Sequence, residues 1–265
     1  MRQYKIQEYT IKTDKLTTPV RMVLLADLHN QEYGPNNSTL IQDIHKIHPD
    51  IILSAGDLLI GKVDAKTNVP VHLLKELSRW YPIYCGNGNH ESRLAHHPEV
   101  YGKTYEEYEK ALLSFGVSIL RNESKTMEIK GNRIRLTGLE LPEKYYEKFN
   151  HYTLEKSWLD QNLGQSKKGI LQILLAHHPA YFHTYAQWGA DISVSGHLHG
   201  GILRLPLIGG VITPQAKLFP KYDRGHYQIQ DKHLIVSPGL GGHTIDIRLN
   251  NPPLLMVINM TNTSQ

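Results

Sequence analysis

The apolar residues fall in short runs that end in similar ways. Val20-Arg21-Met22-Val23-Leu24-Leu25-Ala26, Ile51-Ile52-Leu53-Ser54-Ala55 and Pro82-Ile83-Tyr84-Cys85 are bounded by Gly, Pro or polar residues and read as buried strands. Between them the spacing turns helical. Leu40, Ile41, Ile44 and Ile47 predict a helix capped by Ser38 and ended by Pro49, and Val71, Leu74 and Leu77 predict a second over about 70–80. Strand, helix, strand, helix, strand implies a largely parallel sheet with helices on its faces. Residues 1–19 alternate around Tyr4 and Ile6 and read as an edge strand or hairpin.

The rest of the chain repeats the scheme. A helix is expected over 101–115, then short strands at 117–120, 126–129 and 133–138, with Gly131-Asn132 as a hairpin turn. Helices are expected over 154–163 and 181–188. Ile170–Ala176 and Asp191–Ser195 read as further buried strands, and 225–229, 233–237 and 254–258 as strands built partly into a second, stacked sheet. No repeat or linker-like shift in composition interrupts the pattern, so residues 1–265 are expected to form a single domain.

Composition narrows the chemistry. One cysteine, Cys85, excludes an internal disulfide and a cysteine-based zinc site. A net charge of +4 without a basic stripe argues against a dedicated nucleic-acid binder. The first residues lack the apolar core of a signal peptide, and no apolar run approaches the ~20 residues of a membrane span. The expected location is therefore cytoplasmic, with no membrane span.

The strand ends carry the candidate chemistry. The first run leads into Asp27-Leu28-His29, the second into Gly56-Asp57, and the third into Gly88-Asn89-His90-Glu91. Ile170–Ala176 leads into His177-His178-Pro179, and Asp191–Ser195 into Gly196-His197-Leu198-His199. In open α/β sheets ligands gather at the carboxyl ends of the strands. Each cluster alone has a structural explanation: Asp27 as a helix cap, Gly56-Asp57 as a turn, Asn89 as a loop stabiliser. Together, two carboxylates, an amide and four imidazoles exceed what one metal ordinarily takes and suit two. With 16 histidines in the chain, His45, His48 and His72 are read as surface or boundary residues of helices.

These five blocks resemble the calcineurin-like metallophosphoesterase family. The tail residues Leu218–Gly225 and Arg248–Pro253 further resemble its bacterial YkuE/YaeI-like branch. The resemblance implies an α/β four-layer αββα sandwich of two mixed β-sheets. It assigns Asp27, His29 and His199 to one divalent metal and Asn89, His177 and His197 to a second, with Asp57 bridging. The metals would be Mn, Fe, Ni or Zn. His177 is preferred to His178, and Asn89 to the neighbouring Asn87. His90 would be the catalytic residue, stabilising transition-state charge or protonating the leaving group, with Glu91 orienting it.

The implied activity is phosphoester hydrolysis, with a phosphodiesterase favoured and a metal-bridging hydroxide attacking phosphorus in line. The expected partner is a small phosphoester substrate. A phosphomonoesterase, a nuclease or a non-catalytic binding module on the same fold are the alternatives. Lys217, Lys221, Arg224 and Arg248 are candidates for contacting anionic groups, or ordinary solvated charge.

Overall fold

The computed structural model describes residues 4–147, 152–201, 203–205, 209–212, 220–242, 248 and 250–263, with backbone alone over 203–205 and 209–212. In chain order the strands and helices are β1 (Lys5–Thr13), β2 (Val20–Leu25), α1 (Ser38–Ile47), β3 (Ile51–Ser54), α2 (Asn68–Ser78), β4 (Ile83–Gly86), α3 (Asn89–His96), α4 (Pro98–Tyr101), α5 (Thr104–Ser114) and β5 (Ser118–Leu120). They continue with β6 (Glu123–Ile129), β7 (Asn132–Leu139), α6 (Lys156–Leu163), β8 (Leu171–Ala176), α7 (Phe182–Trp188), β9 (Ile192–Ser195), β10 (Leu203–Leu205), β11 (Gly209–Ile212), β12 (Gly225–Ile229), β13 (Lys232–Val236) and β14 (Leu254–Asn262).

Two six-stranded mixed sheets result, in the orders β1-β14-β2-β3-β4-β5 and β12-β13-β9-β8-β7-β6. The predicted runs make the parallel centres: β2 to β5 in one sheet, and β7, β8, β9 and β13 in the other. The last strand, β14, joins the first sheet, antiparallel to β2, and carries the edge strand β1. Among the described residues, β10 and β11 pair only with each other.

Strand alternation explains why the runs are apolar on both sides. In β2, Met22 and Leu24 enter the core between the sheets, whereas Val23 and Leu25 face the layer holding α1, α2 and α5. In β8, Leu171, Ile173 and Leu175 face inward, while Leu174 and Ala176 pack with Leu159, Leu163, Tyr185 and Trp188 of α6 and α7. Strands covered on both faces read as continuous hydrophobic runs. The layers are therefore helix, sheet, sheet, helix, the sandwich the resemblance implied.

Some local details differ from expectation. Ser38 lies inside α1 rather than capping it; Asn37, in a left-handed conformation, precedes it. The hairpin between β6 and β7 turns on Lys130-Gly131, both at positive φ, and Asn132 already pairs with Ile129 in the ladder. Such a pair suits the twist of a two-residue hairpin. The helix expected over 101–115 is α5, which starts at Thr104 after the separate short α4, and α3 was not expected at all. Its opening Asn-His-Glu is polar because it faces the candidate site, so it has no apolar stripe.

Candidate metal centre

The loops after β2, β3 and β4 meet those after β8 and β9 at one end of the sandwich. Asp27, His29, Asp57, His177, His197 and His199 are all buried there. Buried acids and imidazoles in such number require compensation. Their ligand atoms form three groups, each within 4.8 Å: Asp27, His29 and His199; Asp57, His177 and His197; and His29, Asp57 and His90. His177 Nε2 lies 3.0 Å from Asp57 Oδ2 and 3.8 Å from Asp27 Oδ1, so the first two groups stand side by side.

The backbone here is held in costly conformations. Asp27, His29, Asp57, His197 and His199 all have positive φ. Left-handed non-glycine residues persist only where their surroundings enforce them, and they cluster at functional sites. The enforcing contacts are identifiable. The amides of Asp27 and His29 donate to the carbonyls of Gly56 and Asp57 at 3.0 and 3.2 Å. The His197 amide donates to the Asp27 carboxylate at 3.0 Å, and the His90 amide to Asp57 Oδ1 at 2.9 Å. These approaches need glycine: a Cβ on Gly88 would strike Asp57 Oδ1, and one on Gly196 would strike Asp27 Oδ2.

Ring orientation is set from behind. His177 Nδ1 lies 2.8 Å from the Ala55 carbonyl and His29 Nδ1 3.1 Å from that of Leu59. A carbonyl only accepts, so each Nδ1 carries a proton and each Nε2 faces the centre as the atom left to ligate a metal. His199 Nε2 is 3.2 Å from His29 Nε2 and 3.6 Å from Asp27 Oδ1.

The residues fit a metal by a second test. Among the described residues, Asn89 Oδ1 is buried without a hydrogen-bond partner. Orphaned buried polar atoms are rare and call for an explanation such as an ion. Asn89 opens α3; the alternative Asn87 instead donates to the Tyr105 hydroxyl at 2.9 Å.

Burial and mutual charge perturb the group. Burial, reinforced by Asp57, raises the Asp27 carboxyl to about 7 against the pull of His177. Burial opposes a charge on His177, yet the Asp57 and Asp27 carboxylates outweigh it and hold the ring's pKa up at about 9. Asp57 is held well below its ordinary value: burial works against its charge, but His177, His90 and His29 surround it.

Two neighbours play other parts than the sequence implied. Glu91 does not orient His90. Its carboxylate accepts from the amides of Asp57, Leu59 and Gly88 at 2.7, 2.9 and 3.0 Å, so it holds the Asp57 loop against the first turn of α3. His90 is set by Gly61, whose amide donates to Nδ1 at 2.6 Å. Arg224 Nη1 donates to Asn251 Oδ1 at 3.1 Å, which assigns it a structural bond. Arg248 donates to the carbonyls of Pro238 and Gly241 and lies 3.4 Å from His199 Nδ1. Lys221 is exposed, its ammonium over the Tyr222 ring; Lys217 lies outside the described residues.

Tyr146 belongs to the polar, aromatic stretch after residue 140, and the sequence does not single it out as a site residue. Its ring packs against His197, His178 and His177 at centroid distances of 5.0, 5.4 and 6.1 Å and walls one side of the centre. His178 lies in that aromatic wall, with Nδ1 accepting from the Ala180 amide at 3.3 Å.

The chain is similar to several known proteins. A family model described as calcineurin-like phosphoesterase matches residues 20–201. The uncharacterised metallophosphoesterase YkuE of Bacillus subtilis (strain 168) is 25% identical over 264 residues, covering 97% of this chain and 85% of that protein. The phosphodiesterase YaeI of Escherichia coli (strain K12) is 24% identical, with coverage of 91% and 82%. An uncharacterised metallophosphoesterase of Aquifex aeolicus (strain VF5) is 26% identical, with coverage of 97% and 91%.

Proposed function

Because the chain belongs to the calcineurin-like phosphoesterase family, we propose that it is a two-metal hydrolase of small phosphodiesters. The supporting observation is the pair of adjoining ligand groups, with His177 between Asp27 and Asp57. In this reading Asp27, His29 and His199 hold one cation, Asn89, His177 and His197 the other, and Asp57 serves both. The mixed oxygen and nitrogen donors suit Mn, Fe, Ni or Zn. Divalent cations there would supply Lewis acidity, lowering the pKa of water and neutralising phosphoryl oxygens.

The protein's own contribution is orientation and one hydrogen-bond donor. The Ala55 and Leu59 carbonyls keep the Nδ1 protons of His177 and His29 in place. Glu91 keeps Asp57 and the start of α3 in register. The Gly61 amide occupies His90 Nδ1, so the neutral ring carries its proton on Nε2, where it donates to a phosphoryl oxygen. Fixed donors of this kind act without reorganisation as charge develops. The preference for diesters draws on the name of the YaeI relative.

The test is hydrolysis of bis-p-nitrophenyl phosphate and p-nitrophenyl phosphate by metal-stripped protein, with Mn, Fe, Ni or Zn restored singly. Metal-dependent cleavage, faster for the diester and lost in Asp57→Ala, is expected. Preference for the monoester would overturn the diesterase assignment. Folded, metal-loaded protein that cleaves neither would overturn the hydrolase.

A further inference from the structure

We infer that Asn251 is a positioning residue for the His199 half of the metal centre, an inference that rests on the two-metal reading above. His199, Gly200 and Gly201 have φ of 50°, 66° and 84°, three successive residues in the left-handed region. Glycine adopts positive φ without penalty, so the cost of this turn falls on His199, whose conformation must be held by its surroundings. Asn251 spans it. Its Nδ2 donates to the His199 carbonyl at 2.5 Å and to the Gly201 carbonyl at 2.8 Å. Gly200 packs against the same amide, where a Cβ would come within 2.6 Å of Asn251 Oδ1.

The clamp is itself anchored. Arg224 Nη1 donates to Asn251 Oδ1 at 3.1 Å, which fixes the amide's orientation so that Nδ2 must face the two carbonyls. Asn251 is 1% exposed and lies just before β14, which pairs with β2 in the middle of the first sheet. Pro252 and Pro253 follow it, and the Pro253 carbonyl accepts from the Lys5 amide at 3.0 Å. The turn is therefore referenced to β14, and through it to β2, the strand that delivers Asp27. Asn251 and Arg224 both lie beyond residue 201, where the family match ends. This chain thus braces a ligand of the matched region with residues from its C-terminal part.

The role predicts a selective loss. His199 belongs to the group with Asp27 and His29, while Glu91 holds the Asp57 amide, the Ala55 carbonyl holds the His177 ring and Asp27 holds the His197 amide. Metal-stripped wild type, Asn251→Ala, Asn251→Asp and Arg224→Gln would be titrated with Mn and with Co, and bound equivalents counted by calorimetry and elemental analysis. Folding would be checked by circular dichroism. Wild type is expected to take two equivalents. Asn251→Ala and Asn251→Asp should keep one at wild-type affinity and weaken the other about 10- to 100-fold, as for other groups that orient a ligand from behind. His199→Ala should give the same pattern, and Arg224→Gln a smaller shift in the same direction.

Folded Asn251 variants that bind two equivalents as tightly as wild type would overturn the inference and leave the two-metal reading standing. So would equal weakening of both equivalents, the signature of general loosening. A wild-type chain that takes up fewer than two equivalents overturns the two-metal reading and the inference with it. Should Asn251→Ala not fold, Arg224→Gln decides alone: unchanged affinity at both equivalents overturns the inference.

Discussion

Replacing His90 with alanine separates two ways a histidine assists phosphoester cleavage. The Gly61 amide donates to Nδ1 at 2.6 Å, so a second proton on the ring would first have to displace that bond. Burial also pushes the His90 pKa down, against the pull of Asp57. His90 is therefore neutral at pH 7–8, and its Nε2 proton is a hydrogen-bond donor rather than an acid to be surrendered. Losing one donor to a developing oxyanion lowers kcat by about 10²–10³. The variant also leaves the part-buried Gly61 amide without its acceptor, which costs about 1–3 kcal/mol of stability. The His90 backbone bond to Asp57 survives, so metal content should not change. The assay is kcat for wild type and His90→Ala on phosphodiesters with nitrophenol and phenol leaving groups, at pH 7 to 9 and verified metal loading. The neutral-donor argument expects the same fold-loss with both leaving groups and no basic limb belonging to His90. A loss that grows tenfold or more with the more basic leaving group would refute it and make His90 a general acid.

Two further outcomes follow from the same geometry. Glu91→Ala removes the acceptor of three amides, each costing about 1–3 kcal/mol if left unpaired in the interior. Urea denaturation should show a loss of about 3 kcal/mol or more, and a drop below about 1 kcal/mol would mean that water replaces the carboxylate. Metal uptake should also depend on pH, because His177, with its pKa raised to about 9, and Asp27, raised to about 7, must lose protons to become ligands. Metal competes with those protons. Affinity should therefore rise about tenfold per pH unit between 7 and 9, and about a hundredfold per unit just below 7, where two protons leave. Calorimetry in buffers of different ionisation enthalpy would count them, and a flat pH profile would contradict both shifted values.

The sequence by itself determined the strands of the two parallel centres and the places where each hands over to polar residues. Apart from Arg21 and Gln172, runs such as Val20–Ala26 and Ile170–Ala176 are apolar on both alternating faces, as strands covered on both sides are. The blocks at their ends are contiguous in the chain, so Asp27, His29, Asp57, Asn89, His177, His197 and His199 could be named without coordinates. Tertiary structure decided what crosses between blocks. Glu91 binds the loop of Asp57, thirty-four residues earlier, rather than its neighbour His90. Tyr146 reaches three histidines from the loop after β7, and Asn251 braces His199 across fifty-two residues. α3 was missed because its first residues serve the site instead of a hydrophobic stripe. Periodicity records which face of an element is dry; it holds no record of which distant backbone group a polar side chain will meet. The left-handed backbone at five of the candidate ligand positions has the same origin, since contacts between separate loops enforce it and the modest local preference of Asp and His does not predict it.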